Sequence, residues 1–193
     1  MARPPLADNC RIGYALPPDP SVDLTQGRSG MVGWRRMTQP DLARVERVAD
    51  VVHPDYPEDD AVFAERLRLY SAGCLVSEAD GVIQGYAIGH PCLFQHPPAL
   101  NTLLGGLPRE SDCFHIHDLA LLPSARGQRL GDAAVDCFVQ QARAMGLAHI
   151  SLIAVGNSLT FWRRNGFEIA DQATVRACVA TYGDGALFMT RKL

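Results

Sequence analysis

The sequence predicts an α+β protein, a twisted and mostly antiparallel sheet of six or seven strands flanked by helices. Short apolar runs bounded by turn residues recur along the chain. Two of them, Cys74 to Glu78 and Val82 to His90, are joined by Ala79-Asp80-Gly81, and Asp-Gly suits a hairpin turn that needs positive φ. Segments with a helical apolar period lie before this hairpin and again after Gly131.

Order is expected from Met31. Residues 1–30, with Pro4, Pro5, Pro17, Pro18 and Pro20, read as an irregular N-terminal arm, and residues 31–193 as one domain. Val32-Gly33-Trp34-Arg35 can start a strand. Thr38-Gln39-Pro40-Asp41 is a helix-start signal, and Leu42, Val45, Val48, Ala49 and Val52 then recur at helical spacing. Pro54 and Pro57 make His53 to Asp59 a loop. A second helix carries Val62, Phe63, Leu67 and Tyr70 on one side. After the hairpin, residues 91–112 read as a long insertion with a short helix around Ala99 to Leu104. Phe114 to Leu121 is a strand, Gly131 to Met145 a helix stopped by Gly146, Ile150 to Val155 a buried strand, and Ser158 to Asn165 a short helix ended by Gly166. The remainder supplies the final strands.

The chain has 193 residues, enough for one domain with a sizeable core and marginal for two. A formal net charge of -3 lacks the basic excess of a nucleic-acid binder. No apolar run approaches the roughly 18 residues of a membrane span. The N-terminus lacks a hydrophobic signal core, so secretion is not expected. The widely spaced cysteines contain no C-x-x-C pair and read as reduced thiols in a cytoplasm.

The most informative stretch is His117-Asp118-Leu119-Ala120-Leu121-Leu122-Pro123-Ser124-Ala125-Arg126-Gly127-Gln128-Arg129-Leu130-Gly131. It is a strand, a proline, a short basic loop and a helix. A helix N-terminus has unpaired N–H groups and partial positive charge, so this order makes a phosphate or diphosphate site. There is no G-x-x-x-x-G-K-S/T and no G-x-G-x-x-G after a strand, which disfavours a nucleotide hydrolase and a dinucleotide-binding protein. An ordinary strand–helix junction with two solvated arginines is the bland alternative.

This stretch resembles the acetyl-CoA-binding motif of the GNAT N-acetyltransferases, Q/R-x-x-G-x-G/A, through Arg126 and Gly131, with Arg129 in place of the middle glycine. Asn157-Ser158 and Phe161-Trp162-Arg163-Arg164-Asn165-Gly166-Phe167 resemble a second segment of that family, and the resemblance covers roughly residues 31–193. It implies acetyl-CoA as acyl-donor substrate. Leu119, Ala120 and Leu121 would face the pantetheine, and Arg126, Gly127, Gln128, Arg129, Leu130, Gly131 and Asp132 the diphosphate. Asn157 and Trp162 would complete the cofactor site. The monomer and the homodimer both remain open.

Cys113, His115, His117 and Leu119 alternate along the strand, so both imidazoles are expected on one face, with Asp118 on the other. A neutral imidazole can take the proton that an attacking amine must lose. The string His115 to Leu121 is similar to the two-histidine strand of the serotonin (arylalkylamine) N-acetyltransferases, which implies His115 and His117 as catalytic residues. A zinc site on Cys113, His115 and His117 lacks an evident fourth ligand.

Trp162 falls where many relatives place a tyrosine that protonates the departing thiolate. Indole is a very poor acid. Either Tyr182, Tyr86 or Tyr56 does that work, with Tyr182 taken as the candidate, or the thiolate leaves unaided. His53, Tyr56 and Glu58 are expected at the acceptor site, where acidic groups favour a cationic amine. The expected reaction is direct transfer to a small, arylalkyl-type amine. The alternatives are a peptide or protein N-terminal acetyltransferase, which needs an open groove beside the 91–112 insertion, and a non-catalytic CoA-binding module.

Overall fold

The structure, a computed structural model, describes residues 33–193; the arm proposed for residues 1–30 lies outside them. Seven strands form one mixed sheet in the order β1-β2-β3-β4-β5-β7-β6. They are β1 (Gly33–Arg36), β2 (Cys74–Ala79), β3 (Val82–Cys92), β4 (Cys113–Leu121), β5 (His149–Ala154), β6 (Glu168–Ile169) and β7 (Leu187–Lys192). All pairs are antiparallel except β4 with β5. The Asp80-Gly81 turn has both residues at positive φ, 51° and 76°, as a two-residue hairpin requires.

Helices cover both faces. α1 (Leu42–Val52) and α2 (Asp60–Leu69) bury Leu42, Val45, Val48, Phe63 and Leu67 against Val76, Tyr86, Ile88 and Ala120. α3 (Leu130–Ala144) buries Ala134, Val135, Phe138 and Ala142 against Phe114, Ile116, Ile150 and Leu152, joined by Trp162 of α4 (Leu159–Arg164). A 3-10 turn precedes α1. There Asp41, 1% exposed, accepts from the Thr38 N–H and hydroxyl and pairs with Arg35 and Arg44.

The structure departs from the sequence expectations in places. β3 runs to Cys92, two residues further than expected, because Pro91 and Cys92 still find partners in Phe114 and Cys113. The short helix expected around residues 99–104 is absent; those residues make turns and irregular chain. Residues 93–112 instead form a strap tied by side chains of neighbouring elements. The region expected to hold only strands also contains the short helix α5 (Arg176–Val179).

Candidate active site

β4 and β5 pair only from Cys113–His149 to Ile116–Leu152. Beyond that point they part, and β4 keeps its other partner, β3. The parting opens a cleft of about 570 Å³ lined by Leu119, Leu121, Leu152, Val155, Asn157, Ser158 and Trp162. The backbone of β4 facing this gap is unpaired with β5, a slot that an extended amide-bearing chain can enter as a strand would.

One end of the cleft meets a second hollow of about 480 Å³ at the start of α3. The two share Leu121, Arg126, Gly131 and Phe161, and the second adds Gly127, Arg129, Leu130, Asp132 and Arg164. No side chain caps the α3 N-terminus, so its first amides remain available to an anion. Arg129 takes φ 60° and ψ 16°. The left-handed turn that the family motif assigns to glycine is therefore kept by an arginine. At Gly131 a Cβ would lie 2.9 Å from Phe161 Cε2, so only glycine lets helix and ring approach this closely. Asp132 pairs with Arg164 at 3.0 Å and Arg129 at 3.4 Å, which offsets part of the local positive charge. Gln128 folds back on the Ser124 carbonyl and lines neither hollow. Ala120 is buried against α1 and α2, so only its backbone can serve the cleft.

The other end holds titratable groups. A β-bulge in β4 puts one extra residue between the Ile88–Asp118 and Gly89–Ile116 pairs. The expected strict alternation therefore fails. Asp118 joins His117 on the face covered by α1 and α2, and Leu119 turns to the opposite face. His117 Nε2 lies 2.9 Å from Glu58 Oε2, with the two side chains 2% and 6% exposed. His53 Nε2 lies 3.0 Å from Asp118 Oδ1, and Asp118 also accepts from the Tyr86 hydroxyl. Two carboxylate–imidazole pairs thus stand side by side. Burial opposes ionisation of Glu58, but His117 and the Asn101 N–H hold its carboxyl below the usual range. Burial likewise opposes the charge on Asp118, which His53 and Tyr86 outweigh. Burial would discharge His53, yet Asp118 and then Glu58 raise it above the ordinary histidine value.

His115 is not brought to the cleft. It is 1% exposed and bonds Ser151 Oγ through Nδ1 at 3.0 Å. Burial, together with His90 and His117, pushes it well below the usual histidine range. His90 stands between the two strand histidines, with ring centroids 5.7 Å from His115 and 6.2 Å from His117. Burial lowers it to about 3. Sequence reasoning missed His90 and misplaced Asp118, since neither a cross-strand register after a long connection nor a bulge has a local signal. Among the described residues no His, Cys, Asp or Glu group is arranged to hold a metal ion.

The strap roofs this end. The Asn101 N–H donates to Glu58 Oε1 at 3.0 Å, and the Asn101 side chain exchanges two bonds with Asp59. Leu100 lines the cleft, and its N–H donates to Thr181 Oγ1. The Tyr182 hydroxyl donates to the Pro98 carbonyl at 3.2 Å, and burial, then Glu58, raise it far above the usual tyrosine range. Tyr56 also lines this end.

A sheet split between β4 and β5, with an open helix N-terminus at one mouth of the split and paired bases at the other, defines an enzyme class that binds an acyl-CoA along the gap. The chain matches the Acetyltransferase (GNAT) family over residues 35–167, and it belongs to that family. It is an acyltransferase with acetyl-CoA as donor, and the hollow at the α3 N-terminus, lined by Arg126, Arg129 and Arg164, has the positive charge that an anionic substrate needs. Solved structures share the fold. The GphF GNAT-like decarboxylase in complex with isobutyryl-CoA aligns with TM-score 0.70 at 15% identity, covering 82% of this chain and 98% of that one. Arabidopsis thaliana Naa50 with a bisubstrate analogue aligns with TM-score 0.63 at 14% identity, over 84% and 99%. N-acetylglutamate synthase from Neisseria gonorrhoeae, complexed with coenzyme A and N-acetyl-glutamate, aligns with TM-score 0.59 at 19% identity, over 86% of this chain and 36% of that one. A search of curated protein sequences finds no significant match.

Proposed function

We propose that this enzyme moves an acetyl group from acetyl-CoA directly to the primary amine of a small molecule, with Glu58 and His117 as the base pair that removes the amine proton. The observation that carries this reading is the strap bonded across the acceptor end. The strap bonds Glu58 through Asn101, and Leu100 enters the cleft lining. A protein N-terminus needs an open groove, and the strap stands in the way of one. Val52, Tyr56, Leu100 and Tyr182 line the same end, an apolar and aromatic wall that suits an arylalkyl amine.

The neutral amine attacks the thioester carbonyl and, as the C–N bond forms, passes its proton to His117, whose imidazolium Glu58 stabilises. Backbone groups of β4 at the bulge polarise that carbonyl. The tetrahedral intermediate then expels the CoA sulfur. No acyl-enzyme is invoked: Cys74, Cys92 and Cys113 are buried and free, Cys137 and Cys178 are absent from the cleft lining, and the free thiols suit the cytoplasmic setting we propose. His115, neutral and bonded to Ser151, orients the strand and takes no proton in this scheme.

The test is a panel of small amines with acetyl-CoA, following free thiol. His117→Ala should lose about 10²- to 10⁴-fold in turnover, and His115→Ala should lose much less. Tight CoA binding with no turnover on any amine would replace this reading with a CoA-binding module. Faster turnover on N-terminal peptides than on small amines would replace it with a peptide acetyltransferase.

A further inference from the structure

The identity of the acid that protonates the departing sulfur follows from eliminating the tyrosines. Trp162 occupies the family's tyrosine position and cannot supply a proton at neutral pH. The Tyr182 hydroxyl is already committed to the Pro98 carbonyl. The Tyr86 hydroxyl is fully buried and committed to Asp118. Tyr56 is part of the acceptor wall.

His53 is placed differently. It closes α1 as its C-cap residue and lines the cleft between the Glu58–His117 pair and Arg126. Its Nε2 is turned inward, without solvent contact, onto Asp118. Asp118 is held in turn by the Tyr86 hydroxyl. The imidazole keeps 21% of its surface exposed and lines the cleft, and Nδ1 is the ring nitrogen that Asp118 does not hold.

We propose that His53 is the general acid of the reaction, held by Asp118 and Tyr86, and that it protonates the CoA sulfur. The role rests on the acetyl-transfer reading above. As the tetrahedral intermediate collapses, the carbon–sulfur bond breaks and its electron pair goes to sulfur. The ring proton of the His53 imidazolium that Asp118 does not hold passes to that sulfur and gives the free thiol. The amine proton has meanwhile gone to His117. Each turnover therefore leaves His53 neutral and His117 charged, and exchange with water restores both.

Titratable and charged groups surround His53 from every element packed against it. They are Asp50 on α1, Asp55, Tyr56 and Glu58 on the following loop, Asp118 on β4 backed by Tyr86 on β3, and Arg126 on the loop before α3. The Asp118 and Glu58 carboxylates outweigh burial and Arg126, which raises the imidazole above the ordinary histidine value and favours its charged form.

The role is testable without knowing the acceptor. CoA is bound to the full chain, and the ultraviolet absorbance of its thiolate is followed against pH, with desulfo-CoA as the blank. An imidazolium beside the sulfur favours the thiolate, so the bound thiol should titrate about one unit lower in the wild type than in His53→Gln. Asp118→Asn, which keeps the imidazole but removes its anchor, should shift the midpoint in the same direction as His53→Gln. Unchanged desulfo-CoA affinity in both variants shows that the diphosphate site is intact. The same thiol midpoint in wild type and both variants would overturn the proposal and leave the acetyl-transfer reading standing. Failure of the wild type to bind either ligand would overturn that reading, and this role with it.

Discussion

Arg129→Gly separates what the backbone of the diphosphate turn needs from what the side chain adds. Arg129 sits at φ 60° immediately before α3. A side chain in the left-handed region costs roughly 1–2 kcal/mol from the contact of Cβ with the following carbonyl. Glycine removes that contact but adds about 0.5–1 kcal/mol of unfolded-chain entropy. The difference is a net gain of about 0–1.5 kcal/mol. For a domain of this size that is a rise of up to roughly 6 °C in Tm. The arginine side chain is 86% exposed, so its loss should weaken CoA binding only about two- to threefold, and less at high salt. Thermal unfolding and CoA calorimetry at two salt concentrations measure both effects. A Tm that falls in Arg129→Gly would refute the reading that this turn is strained. A loss of CoA affinity well beyond tenfold would show that the guanidinium, not the amides, grips the diphosphate.

Three further outcomes follow from the geometry. Gly131→Val should push Phe161 toward the cleft, because even a Cβ comes within 2.9 Å of that ring; calorimetry should find CoA affinity down by about tenfold or more. Asn101→Ala leaves a non-glycine residue at φ 54° without its two side-chain bonds to Asp59. Stability should drop by about 1–2 kcal/mol, and amine turnover should fall several-fold while CoA affinity holds, since the Glu58 anchor loosens. The third concerns acid stability. Arg35 and then Thr38 hold the Asp41 carboxyl far below its ordinary value, against the effect of burial. A depressed carboxyl contributes stability that is full above the unfolded pKa near 4 and is lost as pH falls through the lower folded value. Unfolding of the wild type should therefore become easier below about pH 4. Asp41→Asn should be less stable at pH 7 and lose less on acidification.

Some features were legible in the chain itself because they depend on neighbours in sequence. The 3.6-residue period of Leu42 to Val52 and of Ala134 to Met145, the Asp80-Gly81 hairpin, and the basic turn before Gly131 all report local backbone preferences. The structure contains the corresponding elements within a residue or two. Trp162 was identified as the departure from the family pattern for the same reason. The strand alternation was legible only as far as His117.

The amino-acid sequence by itself determined the fold class and the family, and it pointed to the turn before α3 as a diphosphate site, because periodicity, turn chemistry and a helix N-terminus are encoded within a dozen residues. Tertiary structure alone decided which side chains meet. One bulge opposite Ile88 and Gly89 moved Asp118 to the acceptor face and sent Leu119 away from it. Burial against Ser151 withdrew His115 from the cleft, and the 93–112 strap brought Asn101 to Glu58 across 43 residues. The physical reason is that register, burial and long-range pairing are properties of the whole sheet, where a one-residue slip reverses every later side chain and no local pattern records it.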